Sequence, residues 1–498
     1  MADARVLPRS LYTAAQVRAM DSRVIETCDT SGLELMERAG EAALGSLRRQ
    51  WPKARHILVV CGLGNNAGDG YIVARRAASA GLTVQLVQVG DRAALKGDAK
   101  LACARLGSAV RVVSSPEVGT DCAADVIVDA LFGTGLSRPV AGEWLAAIQF
   151  MNGAPAPVVA LDVPSGLDSD TGAVHGVAVE AALSTSFVAL KQGMFTGLGP
   201  HHCGTVEHYD LEIPGKITTT IPASAQRIHS EDLSSLLSPR PRQFHKGNCG
   251  HVLAAGGDHG FAGAIRLCAE AAARVGSGLV TVVTRERHVD ALVAARPELM
   301  WRAVEDEAAL ADALGRCTVV AVGPGLGRSS WSKLVWHALR HQPRPLVVDA
   351  DALNALAADE QHRDDWILTP HPGEAARLLG LETAEVQANR FDAVSALVAR
   401  YGGVVVLKGS GTLVAKRGCV TSVCVQGNPG MASGGMGDVL TGVIAGLLAQ
   451  GLGLWDAARL GVCLHAGAAD AAATVGERGL LAMDLMAQLR ALANPSPG

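Results

Sequence analysis

The segment GNPGMASGGMGD (427–438) carries the residue types and spacing best suited to chemistry. Its glycines let several backbone N–H groups crowd one point at a helix start, where unpaired donors and the helix dipole stabilise a phosphate. Asp438 stands where it can take a proton from an attacking hydroxyl while the amides of residues 435–437 hold the transferring group. A lone Gly-x-Gly-Asp more often marks a tight turn whose carboxylate complements the helix dipole. Pro429, the flanking glycines and the apolar helix that follows favour phosphoryl transfer instead. Around it, LKGSGT (407–412) ends a Val/Leu strand and offers the Lys408 ammonium, with the main chain of Gly409, Ser410, Gly411 and Thr412, to a nucleotide's phosphates. GPGLG (323–327) ends another strand, and TPHPGE (369–374) holds His371 extended between prolines just before a helix.

The first half has its own polar strand ends. GLGNNAGDG (62–70) follows a strand and precedes a helix, so it is an anion and ligand site by position. No Lys-Ser/Thr follows it, which excludes a P-loop, and its third glycine is displaced from GxGxxG. The competing reading is a turn whose Asp69 caps the next helix. DALFGTGLSRP (129–139) and DVPSG (162–166) each place a carboxylate, Asp129 or Asp162, at a strand terminus ahead of a hydroxyl-bearing loop. Any one of them is commonly a turn residue. Three converging at the carboxyl ends of adjacent strands make a site.

The elements that must position these residues follow from hydrophobic periodicity. Thr13 to Gln16 has the form of a capping box before a helical arm, and residues 31–50 read as a second helix. Short apolar runs then alternate with helical stretches at 56–62, 84–90, 126–133 and 158–166, with a strand in 204–213 closing the half. A second series runs at 251–257, 279–284, 318–325, 345–350, 366–370 and 404–411. This alternation predicts α/β architecture: two doubly wound three-layer α/β/α domains with largely parallel sheets. The Pro/Ser/Thr-rich stretch 214–242 sets the boundary, giving domains over 1–220 and 235–498 and a linker over 221–240. The His201-His202 pair is expected at the surface.

Composition fits a globular enzyme. The chain has 498 residues, 49% hydrophobic and 18% charged, and a formal net charge of −4 that gives no footprint for nucleic acid or an anionic membrane. Eleven cysteines without CxxC pairs read as buried small hydrophobes in a reducing compartment. The charged opening MADARVLPRS lacks the apolar core of a secretory leader, and a cytoplasmic location is expected.

GLGNNAGDG, DALFGTGLSR and LDVPSGLD together resemble the NAD(P)HX epimerase domain, Rossmann-like in fold, over roughly residues 10–215. That family interconverts the two epimers of NADH or NADPH hydrated on the nicotinamide ring. The resemblance implies that Asn65, Asn66, Ala67, Gly68 and Asp69, then Gly133, Thr134, Gly135, Leu136, Ser137, Arg138 and Pro139, line the hydrated-nucleotide site. It also implies a substrate contact from Asp162 and a potassium ion held by Asn66, Asp129 and Ser165, oxygen donors that suit a hard cation. Ala67-Gly68 replaces a Gly-Gly common in the family. Epimerisation needs proton transfer or assisted ring opening, and Asp162 is the nominated acid/base because Asp129 is taken by the ion.

KGNCGHVLAAGG, GPGLG, TPHPGE, LKGSGT and GNPGMASGGMGD resemble, in order, the NAD(P)HX dehydratase branch of the ribokinase-like fold over about 235–490. The resemblance implies that Ala264, Gly327, His371 and Asp438 contact hydrated NAD(P)H, and that Lys408 to Thr412 and Gly437 hold ADP. Asp258-His259 and Phe261-Ala262 depart from the Ser and Met-type residues common there. ADP would give up its terminal phosphate to the ring hydroxyl, with Asp438 as base and Mg²⁺ bridging nucleotide oxygens. Phosphate leaves far more readily than hydroxide, so its elimination restores NADH or NADPH and leaves AMP. A homo-oligomer acting on small molecules is expected. The alternative is a small-alcohol kinase fused to a non-catalytic nucleotide-binding module.

Overall fold

The computed structural model describes residues 6–114 and 123–494. Contacts divide the chain into two units, Met1–Gln226 and Arg227–Gly498. In the stretch expected to link the halves, the chain forms a strand at Ala225–Ile228 and a helical turn at Ser230–Leu233.

The first unit begins with two helices, Ala14–Thr27 and Gly32–Gln50, each started by a capping box, Thr13 with Gln16 and Ser31 with Glu34. Seven parallel strands follow in the order Arg111–Ser114, Thr83–Gln88, His56–Cys61, Val126–Ala130, Val158–Leu161, Leu183–Phe187, Thr205–Tyr209. The central strands are apolar on both faces, as a sheet covered by helices on both sides requires. Strand order reverses between His56–Cys61 and Val126–Ala130, where Val60 lies opposite Asp129. The two loops leaving those strands, GLGNNAGDG and FGTGLSR, therefore flank the crevice where doubly wound sheets bind ligands.

The strand Leu183–Phe187 has no counterpart in the apolar pattern, because its middle is Ser184, Thr185 and Ser186. All three are fully buried, their hydroxyls bonded to the carbonyls of Cys203, Ala160 and Ala189. Local carbonyl partners are what let polar side chains enter the core. His202 is likewise buried, with Nδ1 3.0 Å from the Val179 carbonyl, a correction to the surface placement expected of it.

The second unit's nine strands run Thr421–Cys424, Thr412–Lys416, Val404–Leu407, Trp366–Leu368, Leu346–Val348, Val319–Val322, His251–Ala255, Leu279–Thr284, Met300–Ala303. All neighbours pair parallel except at one edge, where Thr412–Lys416 runs antiparallel between Val404–Leu407 and Thr421–Cys424. Residue Thr412, read as part of a loop, is the first of an antiparallel strand. The apolar helix Met436–Ala449 lies on the helix Ala262–Arg274 at very close range. A Cβ at Gly442 would come 2.0 Å from the Cys268 carbonyl, and one at Gly446 would come 2.5 Å from Val275.

Of the ten described cysteines none forms a disulfide, and eight are buried.

Candidate active sites

In the first unit the helix Asn65–Ser79 starts at Gly64, which supplies no side-chain cap, so its first amides face the crevice without a protein partner from a cap. Asp69 lies inside this helix; it is not the cap. A cavity of about 720 Å³ opens there, lined by Asn65, Asn66, Asp69, Gly133, Thr134, Gly135, Leu136, Ser137, Arg138 and Asp162. Ala67, Gly68 and Pro139 do not line it. Ala67 is fully buried, and Gly68 faces Met36 so closely that a Cβ would meet its sulfur at 2.3 Å.

Asp162 sits at φ 66°, a left-handed backbone that a non-glycine residue adopts only under constraint. Its Oδ1 accepts a hydrogen bond from the ammonium of Lys191 and another from the Phe187 amide at 3.2 Å. Lys191 is completely buried and also donates to the Phe187 carbonyl at 2.8 Å and Ser186 Oγ at 3.3 Å. Lys191, Asp21, Arg18 and Asp98 line the same cavity, and sequence reading had singled out none of them. Asp21 did leave a trace: it falls four residues after Val17 and three before Val24, a carboxylate at the spacing of the buried stripe of its helix. Lys191 left only a charge at the end of an apolar run. Burial, chiefly, pushes the Asp21 carboxyl up to about 6, opposed by Lys191 and reinforced by Asp162. Asp69 is pushed well above the usual carboxylate range by burial and by the carboxylates of Asp162 and Asp21.

Behind the cavity Asp129 is fully buried. It accepts from Ser165 Oγ at 2.6 Å, the Ser165 amide at 2.8 Å and the Leu131 amide at 3.2 Å, all neutral donors. Burial raises its carboxyl to about 6 against those bonds. Asn66 donates to the Phe132 carbonyl at 2.8 Å, while its Oδ1 is buried without a hydrogen-bond partner. A buried carboxylate, an orphan amide oxygen and a hydroxyl gathered in one place form an oxygen donor set of the kind that suits a hard cation.

In the second unit Gly435, at φ 91°, precedes the helix Met436–Ala449, a left-handed turn that glycine adopts without strain. No side chain caps this helix, and its first internal bond joins the Val439 amide to the Gly435 carbonyl at 3.1 Å. The amides of Met436, Gly437 and Asp438 are thus left for a ligand. Lys408 brings its ammonium to the same point: a Cβ on Gly437 would lie 3.1 Å from Nζ. That ammonium donates to Asp349 Oδ1 at 2.8 Å and lies 3.9 Å from Glu374. Thr441 Oγ1 donates to the other Asp349 oxygen at 2.7 Å. Burial disfavours the Lys408 charge, but the carboxylates of Asp349 and Glu374 outweigh it and raise its pKa. Asp438 is raised to about 7, by burial first, then by Asp349, with Lys408 opposing and Asp351 and Glu374 adding.

The other predicted residues connect to this cluster. His371 caps the helix Pro372–Leu379, its Nδ1 accepting from the amides of Gly373 at 3.0 Å and Glu374 at 3.3 Å. That places the ring hydrogen on Nε2, and burial together with the Lys408 charge holds the imidazole neutral by lowering its pKa. The Gly327 amide donates to Asp351 at 2.8 Å, and Ala264 touches the GPGLG loop beside Gly325. Gly409 and Ser410 are exposed and Gly411 half-buried, and the Lys408 amide is taken by the Pro370 carbonyl at 2.9 Å, so its side chain, not its backbone, faces the helix start. Asp349 and Glu374 lie in the sequence runs 345–350 and 369–374, where spacing alone predicts no role for either. As with Asp162, the turn at Asp349 is strained: Ala350 has φ 47°. Asp258 accepts from Ser329 Oγ at 2.5 Å and lies 3.8 Å from Arg285, a pairing that seats a carboxylate in the first glycine loop.

Both halves of the chain match known families. The NAD(P)H-hydrate dehydratase family matches residues 252–490, and the family described as YjeF-related protein N-terminus matches residues 32–193. The chain is 47% identical over 97% of its length to the bifunctional NAD(P)H-hydrate repair enzyme of Coxiella burnetii, covering 99% of it. It is 42% identical to that of Escherichia coli, over 98% of this chain and 95% of the relative. A ribokinase-like superfamily protein from Enterococcus faecalis superposes on 54% of the chain and 95% of its own, with 28% identity and a TM-score of 0.51. The chain belongs to the family of bifunctional NAD(P)H-hydrate repair enzymes, with an epimerase half and a dehydratase half.

Proposed function

We propose that the first unit interconverts (R)- and (S)-NAD(P)HX, and that the second dehydrates (S)-NAD(P)HX to NAD(P)H, consuming ADP and releasing AMP and phosphate. The observation that carries the second assignment is the uncapped helix start at Gly435, with the Lys408 ammonium beside Gly437 and Asp438 in the first turn. Asp438, at about 7, is balanced to take the proton of the ring hydroxyl near neutral pH. The amides of Met436 to Asp438 and the Lys408 ammonium hold the charge on the transferring phosphoryl group. Asp349, fixed by Thr441, orients that ammonium. His371 presents Nε2–H, and with Ala264 and Gly327 it forms the substrate side; Lys408 to Thr412 and Gly437 form the nucleotide side.

In the first unit Asn65 to Asp69, the loop Gly133 to Pro139 and Asp162 form the hydrate site, with the free oxygen of Asp162 as acid/base. Asn66, Asp129 and Ser165 would hold K⁺, which would neutralise the buried carboxylate and fix the two loops. Among the described residues no group of three or more His, Cys, Asp or Glu can hold a metal ion. Mg²⁺ in the second site would therefore rest largely on the nucleotide's oxygens, with Asp349 and Glu374 the carboxylates available to it, and would spread the phosphate charge. No helix of the described residues is long and apolar enough to cross a membrane. The proposed reading places the activity in the cytoplasm, in a homo-oligomer. The test is incubation with mixed hydrated NADH epimers, with and without ADP, following NADH absorbance. Full recovery with ADP is expected. Recovery of one epimer alone above the spontaneous rate would remove the epimerase assignment, and no ADP dependence would remove the dehydratase one.

A further inference from the structure

Epimerisation at a hydroxylated ring carbon next to nitrogen proceeds by ring opening. The hydroxyl proton leaves, the C–N bond breaks as the carbonyl forms, and the electron pair passes to nitrogen, which takes up a proton. Rotation and closure on the other face reverse each transfer. One site thus needs two groups, one accepting while the other donates. Asp162 has one oxygen committed to Lys191, so it serves as one of the two.

We infer that Asp21, presented by the helix Ala14–Thr27 into the same cavity, is the second catalytic acid/base of the epimerase. This rests on the epimerase reading above and deepens it. Asp21 lies outside residues 32–193, the stretch matched to the family of the N-terminal half. Lys191 is bonded to Asp162 and not to Asp21. Burial raises the Asp21 carboxyl to about 6, with Lys191 opposing and Asp162 reinforcing. The other charged groups lining the cavity are Arg18, Asp69, Asp98 and Arg138. Among them Asp69 is raised well above the usual carboxylate range by burial and by the carboxylates of Asp162 and Asp21. A group near 6 can both release and accept a proton there, as a reaction run in both directions requires.

The test uses the full chain and the mixed epimers without ADP, following their exchange by chromatography. Asp21→Asn is expected to lower the epimerisation kcat by about 10²–10⁴-fold with KM little changed. ADP-dependent dehydration by the same variant stays at the wild-type rate, which reports that the second unit is folded, and an unchanged urea-unfolding midpoint of the first unit reports the same for the epimerase half. The wild-type rate falls on the acid side with a midpoint near 6, and Asp21→Asn loses that limb. Asp21→Glu keeps part of the rate with the limb displaced, and it decides the matter should the asparagine variant not fold. Wild-type exchange in Asp21→Asn, or in Asp21→Glu an unmoved limb, overturns the assignment, as does loss confined to Asp69→Asn. If the wild-type chain itself does not accelerate exchange, the epimerase reading falls instead.

Discussion

Replacing Asp438 by asparagine removes a charge that the second unit holds in an unfavourable place. Burial is the first cause, and Asp349, Asp351 and Glu374 add to it, so that the carboxyl is raised from 3.8 to about 7 despite Lys408. A displacement of that size corresponds to about 4 kcal/mol between the charged and neutral forms. The side chain is only half-buried, and solvent screening reduces the effect to about 2 kcal/mol. The sign follows from proton binding. Below pH about 4 the group is protonated in both states and has no effect; as pH rises the unfolded chain releases its proton first, so stability falls until pH about 7. The variant lacks that slope. It is expected to match wild type near pH 4 and to exceed it by about 2 kcal/mol at pH 8, or about 4–8 °C in melting temperature for a unit of this size. Its dehydratase rate should drop by about 10²–10⁴. Calorimetry of the full chain across this pH range, paired with NADH absorbance, checks both. A variant less stable than wild type at pH 8, or a gain independent of pH, refutes the electrostatic account of the site.

Gly437→Ala gains up to about 1 kcal/mol of helix propensity but sets a Cβ 3.1 Å from Lys408 Nζ. We expect an unchanged or higher melting temperature with a dehydratase rate at least about tenfold lower; undiminished turnover counts against the phosphate cradle. Lys191→Met leaves Asp162 without its cation, a loss of about 3–5 kcal/mol for a buried pair. The 18% exposure of the Asp162 side chain puts the result toward the lower end, measurable by urea unfolding of the first unit, and a change below about 1 kcal/mol contradicts the pairing. KCl should raise the unfolding midpoint of the first unit above that in equal NaCl, by mass action on the folded state. Ser165→Ala should abolish the difference, and equal midpoints for wild type in the two salts would sink the cation site.

Much of the frame was legible from periodicity. Both early helices, five strands of the first unit, six of the second and the helix start at residue 436 lie where spacing puts them. What periodicity could not see was polarity that is satisfied locally. Leu183–Phe187 is an interior strand written in Ser and Thr, and its burial depends on three carbonyls that its hydroxyls meet in the fold. Thr412–Lys416 and Thr421–Cys424 form a short antiparallel return whose polar ends look like loop. The site was partly legible for a related reason. Gly437 and Asp438 sit together in one motif, whereas Asp349 and Glu374 become partners of Lys408 only because three strands end side by side. Asp21 and Lys191 come from the two ends of the first unit and meet only through the fold.

The contact between Gly442 and the Cys268 carbonyl, with no space for a methyl group, has a consequence for reading natural variation in this chain. The helix that carries Asp438 is seated by a residue with no functional group and no access to ligand. A substitution at Gly442 must displace backbone on one side or the other, and any displacement is delivered one turn away to the carboxylate. Such a position would score as intolerant in a mutational scan as sharply as Asp438, yet the cause would be placement. Telling the two apart needs a measurement that counts folded protein separately from turnover.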